Sequence, residues 1–187
     1  MPDFRRYFVP GGTYFFTVVT AGRRPLFRSL DAARMLGELF REVDRELPFK
    51  TIAIVVLPDH LHSIWALPSG DHDYPRRWRA IKARFTRNWL TGGGTESRVP
   101  VGYKQQRRRG IWQPRYFEHL IRDETDLSSH ADYIHYNPVK HGLARCPRDW
   151  SLSTFTRFAG KGHYPSNWGC SDGPRPEFPR VDERLVE

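Results

Sequence analysis

The chain has 187 residues, 39% of them hydrophobic and 14% aromatic, enough for one domain with its own two-layer core. Thirty Lys and Arg against 21 Asp and Glu give a formal charge of +9; this favours a polyanionic partner, since each neutralised phosphate releases counterions, although a merely soluble basic surface would show the same charge. Cys146 and Cys170 are far apart and outside CxxC spacing, which argues against a disulfide scaffold or a cysteine-built zinc site, and the absence of a signal peptide or an apolar span leads to the expectation of a cytoplasmic protein.

In chain order, TYFFTVVT at 13–20 follows a Gly-Gly turn, is rich in β-branched and aromatic residues and predicts a strand. Asp31 is placed to cap a helix running to about Leu47, with Ala32, Met35, Leu36, Leu39, Phe40 and Val43 on one face and Pro48 as its stop. TIAIVVL at 51–57 and HLHSIWAL at 60–67 are two strands joined by Pro58-Asp59, hence an antiparallel hairpin. From Tyr74 to about Leu90 the spacing predicts a basic helix with Trp78, Ile81, Phe85 and Trp89 as its apolar stripe. Residues 92–110 have no periodicity and read as a flexible basic insertion, a further strand begins after Pro114, and a last helix starts at Asp123 or Thr125 and ends near Asn137, before Pro138. The order β-α-β-β-α-β predicts an α+β, ferredoxin-like split βαβ sandwich, an antiparallel sheet with two helices on one face and the last helix near the other. Residues 1–145 form this domain, and 146–187 a Pro- and Gly-rich tail whose aromatics Trp150, Phe155, Phe158 and Trp168 fold back over the sheet, as a restraint on the site or as a plain packing strap.

His60-Leu61-His62 carries the sharpest chemical signal. Alternation along a strand sends both imidazoles to one face, while Leu61, Ser63, Trp65 and Leu67 share the helix-covered one. Two histidines with a third ligand suit a divalent metal that keeps positions open for water or phosphate; a pair of ordinary surface histidines is the plainer alternative. Tyr133 and Asn137 lie four residues apart on one helical face, where a phenol and an amide carbonyl can serve one site as nucleophile and metal ligand. Taken alone, they also fit a core aromatic and a helix cap.

Together these segments resemble a known family. PDHLHSIWALP is similar to the histidine–hydrophobic–histidine motif of the HUH nucleases, and DYIHYNPVKHGL to the tyrosine helix of the REP-associated tyrosine transposases. RRYFVPGGTYFFTV, RRWRAIKARFT, IWQPRYFEHLIR, STF and NWG follow in that family's order, leaving only 92–110 outside the resemblance. Asn137 stands where the single-strand insertion-sequence relatives carry a metal-binding Gln. The resemblance implies a single-strand DNA endonuclease and strand transferase using Mg²⁺ or Mn²⁺ on His60, His62 and Asn137, with Tyr133 forming a 5′-phosphotyrosine link and no nucleotide cofactor. Its targets would be repetitive extragenic palindromic hairpins, and the protein a monomer or a homodimer. Tyr136 is the rival nucleophile, about 60° round the helix from Tyr133; Tyr133 matches the family position. His119 and His135, with Tyr136, are candidates to support the site, while His130 and His141 are expected at the surface.

For DNA, Arg76, Arg77, Lys82 and Arg84 on the 74–90 helix are candidate phosphate contacts, with a solvated face as the alternative. Arg107, Arg108 and Arg109 would clamp a hairpin stem, and Arg5 and Arg6 a single-stranded tail. Trp112, Gln113 and Arg115 would stack on unpaired bases or read their edges. A non-cleaving hairpin binder on the same fold is the main alternative. The RNP1 pattern of an RNA-binding module and the HxE and PCxxC elements of a zinc deaminase are absent.

Overall fold

A computed structural model describes residues 8–98, 101–102, 109–165 and 167–182. Arg5, Arg6, Arg107 and Arg108 lie outside the described residues. Strand β1 (Thr13–Val19) leads to helix α1 (Leu30–Glu46), then strands β2 (Lys50–Val56) and β3 (His60–Ala66) and helix α2 (Tyr74–Thr91). Strand β4 (Phe117–Leu120), helix α3 (Glu124–Lys140) and the short helix α4 (Phe155–Ala159) complete the order.

The four strands form one antiparallel sheet in the order β2-β3-β1-β4. This is the split βαβ arrangement expected, because each β-α-β unit leaves a gap that a strand of the other fills. Helices α1 and α2 cover one face. There Tyr14, Phe16 and Val18 of β1 and Leu61 and Trp65 of β3 pack with Leu36, Leu39, Phe40, Val43, Trp78, Ile81 and Phe85. The indole rings of Trp65 and Trp78 stack with centroids 4.2 Å apart. The opposite face, carrying Phe15, Ala53, Val55 and Ile64, is covered by α3 through Ala131, Tyr133 and Ile134 and by Phe178 from the tail.

Two helix ends differ from the expectation. Helix α1 is capped by Ser29, whose hydroxyl accepts from the Ala32 amide, while Asp31 sits in the first turn, where a negative charge also suits the helix dipole. Helix α3 runs through Pro138 to Lys140. A proline within the last turn removes a single backbone donor, and the Pro138 carbonyl still accepts from the Leu143 amide. The tail is ordered enough to strap the sheet: the Val56 amide donates to Leu152, the Thr154 amide donates to Ile54, and Val55 bridges Ser153. The two cysteines, 24 residues apart, meet in a disulfide that closes this strap behind α3. Only the folding back of the tail brings them together, which spacing along the chain does not reveal.

Arg77, expected among the phosphate contacts, is turned inward and is 2% exposed. Its guanidinium donates to Asp71 Oδ2 at 2.6 Å, Pro48 O at 2.6 Å and Leu47 O at 3.2 Å, so it ties the end of α1 to the start of α2. The hydrogen bond from Arg77 holds the Asp71 carboxyl below the usual carboxylate range. Such a group stabilises the fold above its unfolded pKa, and the contribution is lost as pH falls through the folded value. Arg77→Ala removes a donor shared by the Asp71 carboxylate and the Leu47, Pro48 and Asp73 carbonyls, and is expected to cost roughly 3 kcal/mol in urea unfolding at pH 7. The difference from wild type should shrink below about pH 4, as Asp71 becomes protonated in both states.

Candidate active site

The hairpin turn at Pro58-Asp59 starts β3 at His60, so the strand's pleat sends His60, His62 and Ile64 to the α3 side and Leu61 and Trp65 to the other. Both imidazoles are buried, with ring centroids 4.9 Å apart. His60 Nδ1 lies 2.6 Å from Asp59 Oδ1, and Arg23 holds the other carboxylate oxygen at 3.1 Å. Burial pushes the Asp59 carboxyl up, but the hydrogen bonds and charge of His60 and Arg23 outweigh it and leave the group below its ordinary value. An ionised Asp59 takes the Nδ1 proton of His60 in a hydrogen bond and leaves Nε2 as the lone-pair nitrogen. His62 is fixed from the neighbouring strand, its Nδ1 2.9 Å from Thr17 Oγ1, which turns Nε2 the other way.

Helix α3 brings the second half of the site. The Tyr133 ring lies 5.3 Å from that of His62, and both side chains are fully buried. One turn on, Asn137 turns its amide nitrogen toward the Tyr133 carbonyl at 3.5 Å. Asn137 Oδ1 and His60 Nε2 are buried and have no hydrogen-bond partner among the described residues. Other such atoms include the indole nitrogens of Trp65, Trp78 and Trp112, which lie in the aromatic core. Lone-pair atoms on a polar face are a different matter, and a carbonyl oxygen and imidazole nitrogens make a donor set that suits a divalent cation.

Sequence reasoning missed three neighbours of this site. Asp59 was legible as a turn residue, and its place directly before His60 was the available signal. Thr17 is found only through the β1–β3 register, which sets it opposite His62. Lys140 donates from Nζ to the Tyr133 hydroxyl at 3.1 Å, a contact two helical turns apart that pairwise spacing of three or four does not reveal.

Other candidates divide. Tyr136 is half-buried and meets Phe178, with ring centroids 5.7 Å apart, while Phe178 also covers Tyr133 at 5.5 Å. His135 points away from the histidine pair, bonded at 2.9 Å to both Tyr164 and Thr154 of the tail. Burial drops its pKa to about 3, so it is a neutral anchor. Tyr164 also donates to Asp132 at 2.7 Å, tying the tail to the back of α3. His130, expected at the surface, is buried against Phe15, whereas His141 is exposed, with its ring 5.3 Å from that of His60.

His119, Asp126 and His130 form a second cluster whose ligand atoms lie within 4.8 Å of one another and could hold a metal ion. Here the carboxylate already serves three donors: His119 Nε2 at 2.9 Å, His130 Nδ1 at 3.0 Å and the Arg122 amide at 3.0 Å. The two imidazoles stack nearly parallel, 14° apart, so their in-plane lone pairs do not converge. The cluster clamps β4 to the first turn of α3.

Among the DNA candidates, Arg76 and Arg115 are exposed. Arg84 is held by Glu42 and Glu46 of α1, at 2.6 and 2.5 Å, and Arg109 is paired with Glu96. Lys82 donates to the Gln113 carbonyl at 2.7 Å. Trp112 is core, with its ring 5.1 Å from Phe85 and 5.8 Å from Phe27, and so has no face to offer a base. No described helix is long and apolar enough to cross a membrane.

No family model matches the chain. Individual relatives do. A REP-associated tyrosine transposase of Escherichia coli K12 is 43% identical over 168 residues, 90% of this chain and 91% of that protein. A Haemophilus influenzae relative named for the same family is 41% identical over 169 residues, covering 90% of this chain and 94% of its own. Among solved structures, a REP-associated tyrosine transposase bound to a REP hairpin superposes with a TM-score of 0.76 at 41% identity, over 96% of each chain. Identity at this level, sustained over nearly the whole length and matched by the fold, shows that the chain belongs to the REP-associated tyrosine transposases.

Proposed function

We propose that this protein is a metal-dependent single-strand DNA endonuclease and strand transferase that recognises repetitive extragenic palindromic hairpins. The observation that carries the reading is the close burial of His60, His62 and Tyr133 between β3 and α3, with Asn137 buried one turn on from Tyr133. The relative solved with a REP hairpin supports the partner. His60 and His62 through Nε2, with Asn137 through Oδ1, would hold a divalent cation of the Mg²⁺ or Mn²⁺ kind. Such an ion, when bound, polarises the scissile phosphate and neutralises charge on its oxygens.

The protein's own groups do the rest. Asp59 and Thr17 fix the two rings, so little ordering is left when a ligand arrives. Tyr133 supplies the nucleophile: its oxygen bonds to phosphorus, the phosphorus–3′-oxygen bond breaks, and the electron pair leaves with the 3′-oxygen. The phenol proton passes to solvent, and a proton from solvent completes the 3′-hydroxyl. One phosphodiester is exchanged for another, so a 3′-hydroxyl can reverse the step. Proximity of its ring to His62 favours Tyr133 over Tyr136, whose ring meets Phe178. Arg76 and Arg115, exposed and cationic, are suited to phosphate contact, whereas Arg77, Arg84 and Trp112 are committed to the fold.

Tyr133→Phe should abolish the covalent protein–DNA adduct on a labelled single-stranded hairpin while leaving hairpin affinity within about twofold. Tyr136→Phe should keep the adduct; the opposite pattern would reassign the nucleophile.

His60→Ala and Asn137→Ala should each remove Mn²⁺-dependent cutting and weaken Mn²⁺ binding in titration calorimetry. Asp59→Asn should weaken it about 10- to 100-fold, as loss of a carboxylate behind a ligating histidine does. Full activity of His60→Ala in dilute Mn²⁺ would remove the metal reading.

Hairpin binding should weaken steeply with salt, log K falling linearly in log[salt] with a slope of about −0.7 to −0.9 per phosphate neutralised. Arg76→Ala with Arg115→Ala should flatten that slope. An altered sequence preference at unchanged slope would instead mean that these arginines read bases.

A further inference from the structure

Helix α3 puts Tyr133 and Lys140 seven residues apart, two turns along the same side of the helix. The Lys140 side chain runs back along that side, so that Nζ donates to the phenol oxygen at 3.1 Å and sits 4.8 Å from the ring centroid. The phenol is thus held through its oxygen by one cation, which lies beyond the hydroxyl end of the ring. Tyr133 itself is wedged between His62 and Phe178, rings that fix its plane while Lys140 fixes its oxygen.

Resting on the reading of Tyr133 as nucleophile, we propose that Lys140 is a positioning residue for that nucleophile in both directions of the reaction. On cleavage, the ammonium keeps the phenol oxygen in the place from which it meets phosphorus. During rejoining, the tyrosyl oxygen is the leaving atom: the 3′-oxygen bonds to phosphorus, the phosphorus–tyrosyl oxygen bond breaks, and the electron pair returns to the phenol oxygen. The 3′-hydroxyl proton passes to solvent, and solvent reprotonates the phenolate. A donor already aimed at that oxygen stabilises the charge as it develops, with no further rearrangement. Lys140 gives up no proton in either direction.

Two measurements on Lys140→Met and Lys140→Arg test this. The first needs no cleavage: the protein carries 3-fluorotyrosine at position 133 and is followed by fluorine NMR. Wild type should give one sharp resonance, Lys140→Met a broadened or split one, and Lys140→Arg a single resonance again. The second is single-turnover kinetics at saturating hairpin. Lys140→Met should slow adduct formation and 3′-hydroxyl-driven rejoining by about 10- to 100-fold each, as expected for losing one charge-assisted hydrogen bond at the reacting oxygen. Hairpin Kd and melting temperature should stay at wild-type values, with Lys140→Arg recovering most of the rate. An unchanged fluorine resonance, or Lys140→Met rates equal to or above wild type, would overturn the proposal. A wild-type protein that forms no adduct but shows the fluorine response would retain the hold on Tyr133 and remove the nuclease reading instead.

Discussion

Strand β3 is buried on both faces, and a pleated strand must send successive side chains to opposite sides. One face contributes Leu61 and Trp65 to the helix-covered core, where the Trp65–Trp78 stack closes the contact with α2. The other therefore has to present His60 and His62, polar groups inside the protein, and burying them is costly unless each is held. Asp59 holds one and Thr17 the other, each at Nδ1. A slip of one residue in β3 would put both imidazoles into the aromatic core and Trp65 against α3, so core packing and site geometry enforce the same register.

The alternating and helical periods were therefore the legible part of the sequence. HLHSIWAL separates its two faces without ambiguity, and the stripe of Trp78, Ile81 and Phe85 is where the spacing puts it. Less legible was what each cation on that helix does. Arg76 and Arg77 are adjacent in a run of like residues, yet one faces solvent and the other is locked under the α1–α2 junction by backbone carbonyls that have no sequence signature. Trp112 beside Gln113 and Arg115 reads as a base-stacking platform, but a bridge between Thr20 and Trp112 draws it into the core. Of the site, His60, His62, Tyr133 and Asn137 were visible as motifs. Their supports were not, because Thr17 depends on strand pairing and Lys140 on the direction taken by a long, flexible side chain.

Helix α3 divides its work between two sides. Tyr133, Asn137 and Lys140 belong to the histidine face, while Asp132 and His135 anchor the tail through Tyr164 and Thr154. Burial holds the Asp132 carboxyl above its usual range and His135 well below its own, so this second network relies on neutral or singly charged hydrogen bonds that bulk water does not screen. The helix is thereby fixed on its far side by the tail and at its first turn by the Asp126 clamp, which leaves the Tyr133 phenol to be placed by side-chain contacts.

Because residues 152–154 hydrogen-bond to β2, that strand does not end the sheet with a bare row of amides and carbonyls. An uncovered edge is a template on which another chain can add a strand, and β-branched runs such as Ile52–Val56 are well suited to such pairing. At the opposite margin, β4 is only four residues long and carries Glu118, both of which discourage docking. The strap thus covers that edge: a copy that lost residues beyond Cys146 to proteolysis would keep its His60–His62 and Tyr133–Asn137 motifs and gain an adhesive border.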